Sequence, residues 1–169
     1  MLIYNPTFDA KHCAYRFLST LYLSNDESFA WDLFKLIDLY RLYPKLLLGM
    51  KPFPRELNSL KKKVSKLPDH YTIPQTPRKT LFQLQPIHNL VANWLIAKGF
   101  LVKDRFENGS VTRTDFPIPT DLVVTFEHDE SLKADWVMSL VVDLPKSVFG
   151  GDTGIKKRTG YMEYRYDPR

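Results

Sequence analysis

Asp9, His12 and Arg16 stand at i, i+3 and i+7 close to the start of the sequence, directly behind Tyr4-Asn5-Pro6. On a helix these spacings place three titratable side chains along one edge. Such an edge can anchor a partner through charged hydrogen bonds, or it can be the polar rim of a capped amphipathic helix. Asp9 also suits the N-cap, where its carboxylate accepts from unpaired N–H groups of the first turn. Cys13 beside His12 raises a second chemistry, because a thiol held by a base is a nucleophile. Neighbouring residues on a helix point about 100° apart, however, so the two do not face each other. Cys13 instead shares an apolar stripe with Phe17, Leu18 and Leu21, and a small core residue is the better account of it.

Other chemistries find less support. The four histidines, His12, His70, His88 and His128, are well separated, and Cys13 is the single cysteine. A zinc site would have to be assembled entirely by the fold, and no metal and no cofactor are expected. Gly150-Gly151-Asp152-Thr153-Gly154-Ile155-Lys156-Lys157 is glycine-rich but lacks the Gly-Lys-Ser/Thr ending of a phosphate-binding loop, and reads as a flexible loop. Glu127, Asp129 and Glu130 around His128 read as a solvated turn.

The elements that must position these groups follow from composition and pattern. At 169 residues the chain is one domain's worth, or two very small units packed together. A hydrophobic content of 44% with 14% aromatics supplies a core and argues against disorder. One cysteine excludes a disulfide within the chain. No signal-peptide pattern and no run of ~20 apolar residues is evident, so a cytoplasmic protein without membrane contact is expected.

The helix behind Asp9 is followed by Ser24-Asn25-Asp26-Glu27, a capping-box pattern. It precedes Phe29, Ala30, Leu33, Phe34, Ile37 and Tyr40, a second helix that Pro44 closes. The two should form a hairpin with aromatic inner faces over residues 1–50. Seven of the twelve prolines lie between Pro44 and Pro86, interrupting long helices there. Leu57, Leu60, Val64 and Leu67 mark one short amphipathic helix, with Lys61, Lys62, Lys63 and Lys66 on its outer side. Residues 45–79 carry nine Lys/Arg against two acids, a net of +7, beside +5 for the whole chain. The positive charge is concentrated.

Pro86 is placed as a helix start, with Ile87, Leu90, Val91, Trp94 and Leu95 as its stripe and Gly99 as terminator. Residues 100–106 then read as a strand, Asn108-Gly109 as a turn, and 111–116 as the returning strand. Helix, glycine and hairpin give a winged-helix-like unit, its wing at 103–113, and with the connector it spans 51–118. Residues 119–169 form an irregular C-terminal lobe. In it Leu122–Phe126 reads as a strand, 129–144 as a helix capped by Asp129 or a turn and strand, and Lys156-Lys157-Arg158 with Tyr161, Tyr164 and Tyr166 as a basic tail. The fold class is α+β, mostly helical.

Lys and Arg neutralise phosphates and aromatic rings stack on bases. Candidate nucleic-acid contacts are therefore Lys61, Lys62, Lys63 and Lys66, the wing residues Lys103, Arg105 and Arg113, and Lys156, Lys157 and Arg158. Against this, the recognition helix expected over 86–98 offers Lys98 alone as a cation, and winged domains also serve as protein adaptors.

The run Tyr4-Asn5-Pro6-x-x-Asp9-x-x-His12-x-x-Tyr15-Arg16 resembles the small middle components of bacterial three-component ABC-ATPase conflict systems, among them the Lamassu defence systems. The resemblance implies a non-enzymatic adaptor that joins an SMC-like ABC ATPase to an effector, often a nuclease, in a hetero-oligomer. It implies no catalytic residue. On that reading Tyr4, Asn5, Asp9, His12 and Arg16 are partner-binding, since Tyr and Arg combine contact area with directed hydrogen bonds. The alternative for Asp9, His12 and Arg16 is an intramolecular surface network. A freestanding winged-helix DNA binder, such as a small regulator, is the second functional reading.

Overall fold

The computed structural model describes residues 6–24, 28–69, 74–163 and 165. It is mostly helical with one two-stranded antiparallel sheet. Tyr4, Asn5, Asn25, Asp26, Glu27, His70, Tyr164 and Tyr166 lie outside the described residues.

Helix α1 (Ala10–Leu23) starts where expected: the Asp9 carboxylate accepts from the backbone N–H groups of Lys11 at 2.8 Å and His12 at 3.1 Å. Its stripe of Cys13, Phe17, Leu18 and Leu21 is buried. Helix α2 (Trp31–Leu42) has no side-chain cap. Its first N–H, that of Trp31, donates to the Gly109 carbonyl at 2.8 Å. The start is thus fixed by tertiary pairing: β1 (Phe29–Ala30) lies antiparallel to β2 (Ser110–Val111), with Phe29 opposite Val111. After Pro44 come a 3₁₀ segment, Pro44–Gly49, and α3 (Asn58–Ser65), which buries Leu60 and Val64. Its apolar stripe is as read, but Lys63 leaves the outer side.

The long helix α4 (Pro77–Ala97) begins nine residues before the expected start at Pro86. Pro77 occupies its first turn, where a missing N–H costs nothing. Pro86 sits inside the helix on its exposed side, and the apolar residues Leu81, Leu84, Val91 and Leu95 hold both halves in the core. Gly99, at φ 82°, terminates the helix, with Phe100 N–H returning to the Leu95 carbonyl.

The expected wing is the main correction. Antiparallel pairing is limited to 100–102 against 112–114, around the Leu101–Arg113 bridge. Residues expected as wing strand instead form α5 (Lys103–Glu107), closed by Asn108 Nδ2 donating to the Asp104 carbonyl at 2.7 Å. Phe106 turns onto Trp31, 5.1 Å between ring centroids, and β2 pairs with β1. Packing Phe106 on Trp31 and satisfying the α2 start outweigh the local strand pattern.

The C-terminal lobe is helical. The expected strand Leu122–Phe126 lies within α6 (Thr120–His128), where Leu122 and Phe126 share a face and Phe126 packs on Tyr15 and Tyr22. β-Branched Val123 and Val124 weaken a helix by only tenths of a kcal/mol, which packing overrides. Residues 129–144 hold α7 (Glu130–Lys133), capped by Asp129, and α8 (Asp135–Asp143), so the helical alternative describes them. A last short helix, α9 (Ile155–Thr159), ends the described core. One continuous apolar cluster joins side chains from α1 through α9.

The glycine-rich segment is an ordered turn: Ile155 N–H donates to the Val148 carbonyl and Lys156 N–H to the Phe149 carbonyl, both at 2.9 Å. A Cβ on buried Gly154 would overlap the backbone carbonyls of Phe149 and Gly150. Gly154→Ala is therefore expected to destabilise by roughly 1–3 kcal/mol, read as a lowered thermal midpoint. An unchanged midpoint would contradict this packing.

Candidate functional site

The edge read from the sequence does not stay together. Asp9 caps α1, His12 is exposed, and Arg16 turns inward until it is buried. The reason is Asp38, a carboxylate in the run Leu36-Ile37-Asp38-Leu39-Tyr40, whose other members are completely buried. Without a cation the charge at Asp38 would be prohibitive. Arg16 supplies it in a two-pronged ion pair, Nε donating to Oδ1 at 2.6 Å and Nη2 to Oδ2 at 3.1 Å. His88, fully buried on α4, lies with Nε2 2.9 Å from Oδ2. A carboxylate only accepts, so Nε2 carries the proton there. Three helices thus meet on one side chain.

Arg41 extends the network. Its Nη1 donates to Ser19 Oγ and Thr20 Oγ1 at 2.9 Å each, and to the Arg16 carbonyl. Burial alone would raise the Asp38 carboxyl, but the Arg16 charge and the His88 hydrogen bond outweigh it and hold the group at about 2. Burial would lower the Arg16 guanidinium, and Asp38 reverses this, leaving it raised. Arg41 has less compensation; burial brings it down to about 10.

Ligand atoms of Cys13, Asp38 and His88 lie within 4.8 Å of one another. Nucleophile, base and orienting acid is one way to read that trio, and a three-ligand metal site is another. Neither fits the surroundings. Burial pushes the Cys13 thiol far above its ordinary range, against the thiolate that both chemistries require. Both Asp38 oxygens already take donors, and the guanidinium occupies the place of a cation. Cys13 is wholly buried. What the arrangement can do chemically is lock α1, α2 and α4 together.

The remaining expected residues are dispersed. Lys61 and Lys62 are exposed on α3 and Lys66 at its C-cap, with Lys61 Nζ 4.8 Å from the Phe53 ring centre. Lys63, expected beside them, turns inward and donates to Ser139 Oγ at 2.6 Å. Lys103 lies 3.6 Å from Glu107 on α5, Arg105 is exposed, and Arg113 is half-buried in the bridge to Leu101. The basic tail serves the fold: Lys156 pairs with Asp32 at 3.1 Å, Lys157 with Asp152 at 3.7 Å, and Arg158 Nη1 donates to the Pro52 carbonyl at 2.7 Å. In the acidic cluster, Asp129 accepts from Tyr15 Oη at 2.6 Å as well as capping α7. Sequence reasoning did not connect Asp38 or His88 to Arg16. Their signal was a charge inside an apolar helical run and a histidine at i+4 from Leu84 and i−3 from Val91.

A family model described as ABC-three component (ABC-3C) system Middle Component 5 matches residues 2–167. The chain belongs to this family. Neither a curated protein nor a solved structure matches it. As a middle component of a multi-component system it has protein partners. No helix among its described residues is long and apolar enough to cross a membrane.

The buried pair in this middle component makes substitutions strongly non-additive. Arg16→Met strands the Asp38 charge and is expected to cost about 3–5 kcal/mol in denaturant unfolding. Asp38→Asn should destabilise the natural chain, yet stabilise the Arg16→Met background by removing that stranded charge. Because the folded carboxyl sits below its ordinary 3.8, its contribution, roughly 2 kcal/mol, is complete above about pH 4. It is lost as pH falls toward 2, and Arg16→Met should abolish that loss. Additive single and double variants would show the pair to be uncoupled.

Proposed function

We propose that this middle component is a non-enzymatic accessory subunit that links an SMC-like ABC ATPase to an effector, such as a nuclease, in a cytoplasmic anti-phage or anti-plasmid complex of the Lamassu kind. Family membership over nearly the whole chain is the observation that carries this reading. The chemistry of the interior agrees with it: the side chains best suited to catalysis are spent on one another beneath the surface. Interaction therefore falls to exposed groups, and of the N-terminal run read as partner-binding, His12 is described and exposed. A chain tagged and co-expressed with its two companion components should retain the ABC component through size-exclusion chromatography. Elution as an unaccompanied monomer would overturn the adaptor reading.

DNA contact belongs to the same proposal, and α3 is the surface that favours it. Lys61 and Lys62 on α3 and Lys66 at its C-cap face solvent, and α3 itself holds no acidic residue. Counterion release by three such contacts steepens the salt dependence of binding by up to about 3 log units per log unit of salt. Changing these three lysines to Gln should flatten the slope of the complex by that amount on any duplex sequence, whereas Lys63→Gln should leave it unchanged. An unaltered slope in the triple variant would assign α3 to bare solvent. A freestanding winged-helix regulator is the weaker reading, because α5 stands where its wing strand would be.

A further inference from the structure

α4 exposes Phe82, Pro86, Leu90 and Trp94 at i, i+4, i+8 and i+12, a continuous ridge of about 18 Å. Phe82 is 73% exposed, Leu90 61% and Trp94 44%. Residues this large and apolar, in a row, mark an interaction face. At its C-terminal half the ridge borders a groove of about 380 Å³ against α1, lined by Ala10, Lys11, Ala14, Leu90, Val91 and Trp94. Ala10 and Ala14, one turn apart, keep the α1 wall low. Lys11 is the one charged side chain among the described lining residues, and exposed Lys98 stands at the end of α4.

We infer that this groove docks a helix of a companion component, apolar along one face and carrying carboxylates against Lys11 and Lys98; the inference rests on the accessory-subunit reading. Charge selects this occupant. Residues 77–97 contain no Asp or Glu, so α4 brings no carboxylate to the groove that Lys11 lines. A second copy in two-fold contact would bring the same surface to this ridge, with no carboxylate on α4 and with Asp9 already engaged as the α1 cap. A nucleic-acid duplex meets the lysines, but its bases are stacked on one another and leave Leu90 and Trp94 uncovered. The opposite end of the ridge is mixed, since the cavity beside Phe82 also holds Asp32 and Glu163, and Asp32 is already paired with Lys35 and Lys156. Docking is therefore assigned to the Leu90–Trp94 end.

The test uses the full chain co-expressed with both companion components. Leu90→Ser/Trp94→Ser should weaken its complex at least tenfold without changing helix content, as expected for a central aromatic anchor. Lys11→Glu, an exposed change that leaves the fold intact, should weaken it about threefold at low salt and less at high salt. A photo-crosslinking amino acid at position 90 should capture an acidic amphipathic helix of one companion. If the natural chain binds its companions and both variants bind as tightly, the groove assignment is wrong and the accessory reading stands. If the natural chain binds neither companion, the accessory reading fails and the groove assignment with it. Crosslinks to a second copy or within the chain would also overturn the assignment.

Discussion

Asp38 carries a charge where water does not reach, and the arrangement of α1, α2 and α4 follows from what that charge requires. Arg16 must come from α1 and His88 from α4, each within 3.1 Å of a carboxylate oxygen. Buried ion pairs are often no better than apolar packing in net energy, so the consequence is geometric. A slide of α1 by one helical turn, about 5.4 Å, would leave the carboxylate without its guanidinium. An apolar interface of Leu and Phe tolerates such slides far better. Arg41 adds a second constraint by fastening the end of α2 to the middle of α1 through Ser19 and Thr20.

The same demand explains which elements were legible in sequence. α1 and α3 were, because cap, stripe and length are local signals that packing did not contradict. Asp9 caps where its spacing says, and Leu57, Leu60 and Val64 point inward. Arg16 was misplaced on an exposed edge because periodicity assigns a face by polarity, and Asp38 inverts that logic from 22 residues away. Residues 103–107 were misread for a related reason. Their pattern and the Asn108-Gly109 turn suit a hairpin in isolation, but Trp31 offers Phe106 a partner and Phe29–Ala30 takes up the β2 edge. Both competing contacts are non-local. The valines of α6 were decided in the same way, by Phe126 reaching Tyr15 and Tyr22.

Charge was legible in amount but not in use. Lys156, Lys157 and Arg158 look like a nucleic-acid tail, yet Lys156 closes on Asp32 and Arg158 on the backbone of Pro52 and Thr153. Lys63 shares α3 with Lys61 and Lys62 and still turns to Ser139. A lysine stem is long enough to choose between solvent and a buried acceptor, and one turn of helix decides which. A cluster of cations in a sequence therefore bounds the charge available to a partner from above. In this chain exposed cations remain at Lys61 and Lys62 on α3, at both ends of α4 (Arg78, Lys79 and Lys98) and on α5 (Lys103 and Arg105).

That partition bears on what a middle component can be. The chain places Cys13, His88 and Asp38 together inside, with both Asp38 oxygens taken by donors. Among the described residues, the exposed surface includes a cationic helix, α3, and an apolar ridge on α4 beside Lys11. Long-range charge attraction sets how fast partners meet, while buried aromatic contact sets how long they stay. A helix like α3 suits the first task and Leu90 with Trp94 the second, and α1, which bears Lys11 outside and Arg16 inside, ties the ridge to the interior lock. A partner held against that ridge would rest on the helices that Asp38 fixes, so the rigidity of the interior becomes the rigidity of the joint.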